Sequence, residues 1–221
     1  LVTALNEPGR HLIAEIVSTS PVRGDYAVSE STAELARSLT SAGAAALSVV
    51  TESRHFSGGI RDLISARETV SCPLIRRDFI MHSYQVYESR AYGADAVFLM
   101  TTLLTTAQIE ELMAVCVELG MEPVVEVHTQ ADLQRVTRLR PRLLCLNDWR
   151  LEDFSLEQGT ALELLAHAPD NALTVASGNI QTFEQASALF AKGAKAILVG
   201  AAMVTAQDRR AKAHELLEGM Q

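Results

Sequence analysis

Short runs of aliphatic and β-branched residues recur along the chain, each followed by a longer stretch with helical spacing of apolar positions. The runs predict strands over 11–17, 45–51, 73–77, 95–100, 123–127, 142–147, 172–176 and 195–199. The stretches between them predict helices near 29–43, 59–70, 83–92, 106–119, 129–138, 156–167, 181–192 and 203–219. In the third helix Val86, Tyr87, Ala91 and the stem of Arg90 mark the face expected to pack inward. Gly43, Gly93, Gly120 and Gly193 stand at helix ends, where a left-handed residue closes the last turn. Pro73 and Pro123 precede strands, where a missing N–H costs least. Gly43-Ala44, Gly93-Ala94-Asp95-Ala96 and Gly193-Ala194-Lys195-Ala196 repeat one helix-to-strand junction.

Eight βα units in 221 residues predict an α/β protein, a closed (β/α)8 TIM barrel forming a single domain over 1–221. A doubly wound open sheet would need a glycine-rich phosphate loop after its first strand, and Gly24 alone does not make one. No linker or shift in composition marks a second domain.

Composition narrows the partners. The chain is 48% hydrophobic and 21% charged, enough for a sizeable core. A formal charge of −8, with no basic run, argues against nucleic acid. No apolar run approaches the length of a membrane span and no signal peptide opens the chain, so a soluble cytoplasmic protein is expected. Cys72, Cys116 and Cys145 are scattered, two of them in apolar strand-like runs, and are expected as buried reduced thiols. Neither metal-ligand spacing nor a cofactor motif is present, and monomer and homodimer both remain open.

In such a barrel the working residues lie at the C-terminal ends of the strands. Glu15 interrupts an Ile- and Val-rich run just before Ser20-Pro21-Val22-Arg23-Gly24, and the same pattern recurs at Glu126. An ionised carboxylate among such neighbours is costly unless paired. The two can share acid/base work with pKa values raised by burial, or each can pair with Arg77 in a structural network. Ser177-Gly178-Asn179 and Gly200-Ala201-Ala202, at the last two strand ends, are small enough for backbone N–H groups to reach a phosphate, with a helix N-terminus adding to the attraction. The plain alternative for the latter is a tight turn. Trp149, the single tryptophan, can stack on an aromatic ligand or simply pack the rim. His55 and His128 are read as ordinary loop histidines.

In one continuous register from about residue 11 onward, these residues resemble the indole-3-glycerol-phosphate synthase family. The family's I-A-E-x-K-x-x-S-P-S-x-G is similar to Ile13-Ala14-Glu15-Ile16-Val17-Ser18-Thr19-Ser20-Pro21-Val22-Arg23-Gly24. Its L-T-E-x-x-x-F-x-G is similar to Val50-Thr51-Glu52-Ser53-Arg54-His55-Phe56-Ser57-Gly58, and its K-D-F-I to Arg77-Asp78-Phe79-Ile80. G-M-E-P-L-x-E-V-H resembles Gly120-Met121-Glu122-Pro123-Val124-Val125-Glu126-Val127-His128. A-x-L-x-G-x-x-L-M resembles Ala196-Ile197-Leu198-Val199-Gly200-Ala201-Ala202-Met203.

The resemblance implies a decarboxylating ring closure on a phosphorylated small molecule, 1-(2-carboxyphenylamino)-1-deoxyribulose 5-phosphate. It assigns catalytic positions to Glu15, Arg77, Glu126 and Asn147. Ser20, Phe56, Phe79, Trp149, Ser177 and Leu198 fall to substrate binding, and Gly178, Asn179, Gly200 and Ala201 to the phosphate. Departures fall on the chemistry. The family's lysine two positions after the first glutamate is Val17, and its lysine before Asp-Phe is Arg77. N-x-R-D after the sixth strand has become Asn147-Asp148-Trp149-Arg150, and the glutamate after the seventh is lost from Ala176-Ser177-Gly178-Asn179-Ile180. Because the chain opens almost at its first strand, the family's N-terminal helical extension is expected to be missing.

A buried lysine can serve as the acid that protonates a ketone, whereas an arginine stays protonated. Proton transfer would then fall to Glu15 or Glu126, while Arg77 stabilises negative charge. Three readings follow: the family reaction with a rearranged acid/base set, a diverged lyase or cyclase on a related substrate, and a non-catalytic ligand-binding barrel.

Overall fold

The computed structural model describes residues 1–219. Eight parallel strands close into a barrel: β1 (His11–Ile16), β2 (Ala46–Val50), β3 (Leu74–Arg77), β4 (Ala96–Met100), β5 (Glu122–Val127), β6 (Leu143–Asn147), β7 (Leu173–Ser177) and β8 (Ala196–Val199). β1 pairs with both β2 and β8, which completes the ring. Outside it lie α1 (Thr32–Ser41), α2 (Ile60–Thr69), α3 (Ser83–Ala91), α4 (Thr106–Glu118), α5 (Gln130–Thr137), α6 (Thr160–Leu165), α7 (Phe183–Ala191) and α8 (Arg209–Glu218). Local sequence fixes where several begin. Ser31 with Glu34, Thr105 with Gln108, and Thr182 with Gln185 form capping boxes at α1, α4 and α7. Gly43, Gly93, Gly120 and Gly193 all take positive φ just past their helices, as expected.

Two apolar compartments result from strand alternation. Outward residues such as Leu12, Leu47, Leu99 and Ile197 meet the helices, whereas Ile13, Ile75, Phe98, Val124 and Cys145 fill the barrel interior. One step of two residues toward the C-terminal end, the inward face turns polar. Ile13 gives way to Glu15, Ala46 to Ser48, Ile75 to Arg77, Val124 to Glu126, Cys145 to Asn147 and Val175 to Ser177. That change of chemistry at one depth places the site.

Several elements differ from expectation. Residues Val2–Asn6 form a short helix that periodicity over five positions cannot signal. Its Leu5, fully buried, joins the inner core beside Ala45 and Leu173 at the strand starts, closing the end opposite the mouth. The last predicted helix is broken into Ala201–Val204 and α8, because Asp208 accepts from the Ala211 N–H and starts a new helix. The helix predicted over 156–167 is only α6, since a bridge between Trp149 and Leu156 occupies the preceding chain. On α3 the buried positions are Val86 and Ser89, while Tyr87, Arg90 and Ala91 are exposed. The reason is Arg76, a buried outward-facing side chain that donates to Glu88 at 2.7 Å and Ser89 at 3.1 Å and turns that face inward. Pro123 sits second in β5 rather than ahead of it. Cys145 lies in a strand as expected, but Cys116 is on a helix and Cys72 is only half-buried.

Candidate active site

At the C-terminal mouth, three strands bring Glu15, Arg77 and Glu126 into one group. Arg77 Nη1 lies 2.7 Å from Glu126 Oε2, and its Nη2 donates to Oε1 at 3.3 Å. Its Nε lies 3.3 Å from Glu15 Oε2, which also accepts from Ser48 Oγ at 2.8 Å. Below the guanidinium, the Phe98 ring centroid is 4.5 Å away. His128 Nε2 approaches Glu126 Oε1 at 3.2 Å, and its Nδ1 is buried without a hydrogen-bond partner among the described residues. His128 is 4% exposed at the end of β5, so it is no ordinary loop histidine.

The two carboxylates are displaced in opposite directions. Burial pushes the Glu15 carboxyl up; Arg77 and Ser48 oppose it, and the Glu126 charge adds to it. Burial acts the same way on Glu126, but the Arg77 charge and the bond from His128 outweigh it and hold the group at about 2. The expectation that burial would raise both is therefore corrected for Glu126, which is the better paired. Arg77 in turn is held protonated by Glu126 and Glu15, against burial.

Every residue assigned from the sequence to catalysis, substrate or phosphate lines this one cleft. Phe56 and Phe79 stand on one side, Trp149 with Asn147 on another, and Ser20 on the loop after β1. Asn147 Oδ1 accepts from the Trp149 N–H at 3.1 Å, which ties the tryptophan loop to the strand end. Leu198, Ser177, Gly178, Asn179, Gly200 and Ala201 form the far end. Of the two glycines there, Gly178 is sterically required and Gly200 is closely packed. Gly178 has φ +145°, and a Cβ on it would lie 2.8 Å from the Asp148 Cβ. On Gly200 a Cβ would lie 3.2 Å from Val17 Cγ1 and 3.4 Å from Glu15 Oε1. The helix after Gly200 is only four residues and has no side-chain cap, so the expected helix-terminus attraction is weak and close backbone approach remains.

Sequence reasoning missed Ser48, Phe154, Tyr26 and the part played by Arg23. Ser48 was legible, since it lies two residues past Ala46 on the inward face of β2. Phe154 was not. It comes from an irregular loop with φ +53° and meets Phe56 and His55 edge-on or tilted, at centroid distances of 6.2 and 6.4 Å. The loop after β2 is held by Glu52, which accepts from the N–H groups of Arg54, His55 and Phe56.

The sequence profile described as indole-3-glycerol phosphate synthase matches residues 1–216. The chain belongs to the indole-3-glycerol phosphate synthase family. It is 35% identical over 217 residues to the protein of that name from Mycobacterium sp. (strain KMS), covering 98% of this chain and 80% of the relative. The relative from Leifsonia xyli subsp. xyli is 40% identical over 194 residues, covering 88% and 75%. Among solved structures, 3-hexulose-6-phosphate synthase from Salmonella typhimurium shares the barrel, with a TM-score of 0.74 at 14% identity, covering 94% of this chain and 97% of that one. That likeness is one of fold alone. Membership of the synthase family carries the expected enzyme class, a carboxy-lyase.

The basic side chains of this cleft are arginines and no lysine lines it. The chain's only lysines, Lys192, Lys195 and Lys212, lie outside the cleft. Val17, at the first family lysine position, is instead buried in an apolar cluster with Val50 and Val204, against which Tyr26 and Phe56 pack.

Proposed function

We propose that the protein closes 1-(2-carboxyphenylamino)-1-deoxyribulose 5-phosphate to indole-3-glycerol phosphate, with Glu15 as the proton-transfer group. The observation that carries this reading is the unequal pairing of the two carboxylates with Arg77: Glu126 is bonded by both terminal nitrogens and approached by His128, whereas Glu15 meets only Nε, at 3.3 Å. Glu126, held near 2, stays ionised and fixes the arginine. Glu15, pushed up by burial, is the carboxyl of the pair better able to take and release a proton.

Glu15 protonates the ketone oxygen as the ring carbon bearing the carboxylate attacks the ketone carbon. Arg77 stabilises the charge that develops on that oxygen before the proton arrives. The carbon–carboxylate bond then breaks, carbon dioxide leaves, and its electron pair restores the aromatic ring. The new hydroxyl departs as water as a proton leaves the neighbouring carbon, with a net uptake of one proton. Trp149, Phe56 and Phe79 give the aryl group apolar and flat surfaces, and the Gly178 and Gly200 end receives the phosphate. The test is turnover of that compound by the purified protein, followed by indole fluorescence. Steady production of the indole supports the reading, and its absence with the compound bound overturns it.

One observation favours a second reading, a diverged lyase or cyclase acting on a substrate with fewer anionic groups. Val17 and Trp149 are apolar at positions where the family has a lysine and an arginine. Val17→Lys combined with Arg77→Lys separates the two. Increased synthase turnover supports the family reaction, and no gain supports a reshaped pocket.

A further inference from the structure

Three arginines line the cleft: Arg23, Arg77 and Arg150. Arg77 lies between Glu15 and Glu126, and Arg150 pairs with Glu157 at 2.9 Å. Arg23 differs. Among the described residues no carboxylate is paired with it, and its Nη2 donates to Asn179 Oδ1 at 2.7 Å. In a chain of net charge −8, an arginine in a cleft with only a neutral partner is a cation available to an anionic ligand.

Its position suits one. Arg23 sits in the turn between the short paired segments Thr19–Ser20 and Gly24–Asp25, and reaches across to the end of β7. Asn179 follows Gly178, so the guanidinium is tethered at the end of β7, in the cleft that Gly178 and Gly200 also line. Val17 Cγ1 lies against the same spot at Gly200 and brings no charge there. The loop therefore supplies the positive charge that the strand end lacks.

We propose that Arg23 is the cation that binds the ligand's phosphate, and that Asn179 holds it in place until the ligand arrives. This rests on the phosphate end assigned above and adds which residue confers affinity for it. A guanidinium offers a planar pair of donors to phosphate oxygens, and its bond to the amide of Asn179 is the weaker neutral-acceptor kind. Phosphate thus displaces Asn179 from Arg23 without breaking an ion pair.

The test uses inorganic phosphate as the probe, titrated into the full chain and read by 31P line broadening. Arg23→Gln weakens phosphate binding about tenfold or more, because a charge-assisted hydrogen bond is lost. Arg23→Lys retains part of the affinity, since charge stays while the fork is gone. Asn179→Asp also weakens binding, because the new carboxylate pairs with Arg23 and competes with phosphate. A purely structural role for Asn179 would not produce that effect. Arg23 is exposed, so thermal unfolding of its variants stays unchanged. Equal phosphate binding by wild type and Arg23→Gln overturns the proposal and leaves the phosphate end in place. No phosphate binding by the wild type overturns both. Arg23-dependent binding in a protein with no synthase turnover upholds the proposal and removes the family reaction.

Discussion

Glu15 and Glu126 share one arginine yet are displaced in opposite directions from the ordinary carboxylate value. The consequences for stability therefore have opposite signs. Glu126, ordinarily near 4.5 and held at about 2, contributes stability that is complete above the ordinary value and is lost as pH falls toward 2. Glu126→Gln leaves Arg77 poorly paired and is expected to cost about 3 kcal/mol in denaturant unfolding at neutral pH. For Glu15, whose folded pKa is raised, the contribution is present at low pH and lost as pH rises through that folded value. Glu15→Gln removes that burden, so its stability at neutral pH falls by no more than about 1 kcal/mol. If Glu15 is the acid, the wild-type rate declines as pH rises through its elevated pKa, and the Glu15→Gln protein loses that limb. Both carboxylates were legible as single residues, because a charge inside an aliphatic run persists only where a partner or a reaction needs it. Their different protonation was not, because it depends on His128 and Ser48, whose contacts form only in the closed barrel.

Elements were legible in proportion to their regularity. The eight strands and most helices follow from alternation, helical spacing and glycine punctuation. What failed was irregular or decided by a partner. α3 turns on Arg76 of the neighbouring strand, and α6 is shortened by a bridge made at Trp149. At the end of β7 the backbone conformation of Gly178 sets the turn. Gly178→Ala forces an L residue into φ +145° against Asp148 and is expected to destabilise by about 1–3 kcal/mol in thermal or denaturant unfolding. Phosphate binding should weaken with it, because Asn179 and its tether to Arg23 move with that turn.

The barrel as a whole has a plugged end and a polar end. Leu5 from the short N-terminal helix fills the plugged end, and Leu5→Ala is expected to cost about 2–5 kcal/mol in denaturant unfolding while leaving ligand binding intact. No helix among the described residues is long and apolar enough to cross a membrane. At the polar end, strand ends from all around the ring supply one cleft, with carboxylates near Arg77 and small residues beyond Leu198. Ring closure through Glu15 in this lysine-free cleft is tested by comparing wild type and Glu15→Gln on the carboxyphenylamino-deoxyribulose phosphate at saturation, following indole fluorescence. The wild type is expected to turn over, and the variant to lose about a hundredfold or more in kcat with little change in stability. Wild-type protein that binds the compound without forming indole, or a variant as fast as the wild type, would refute that role for Glu15.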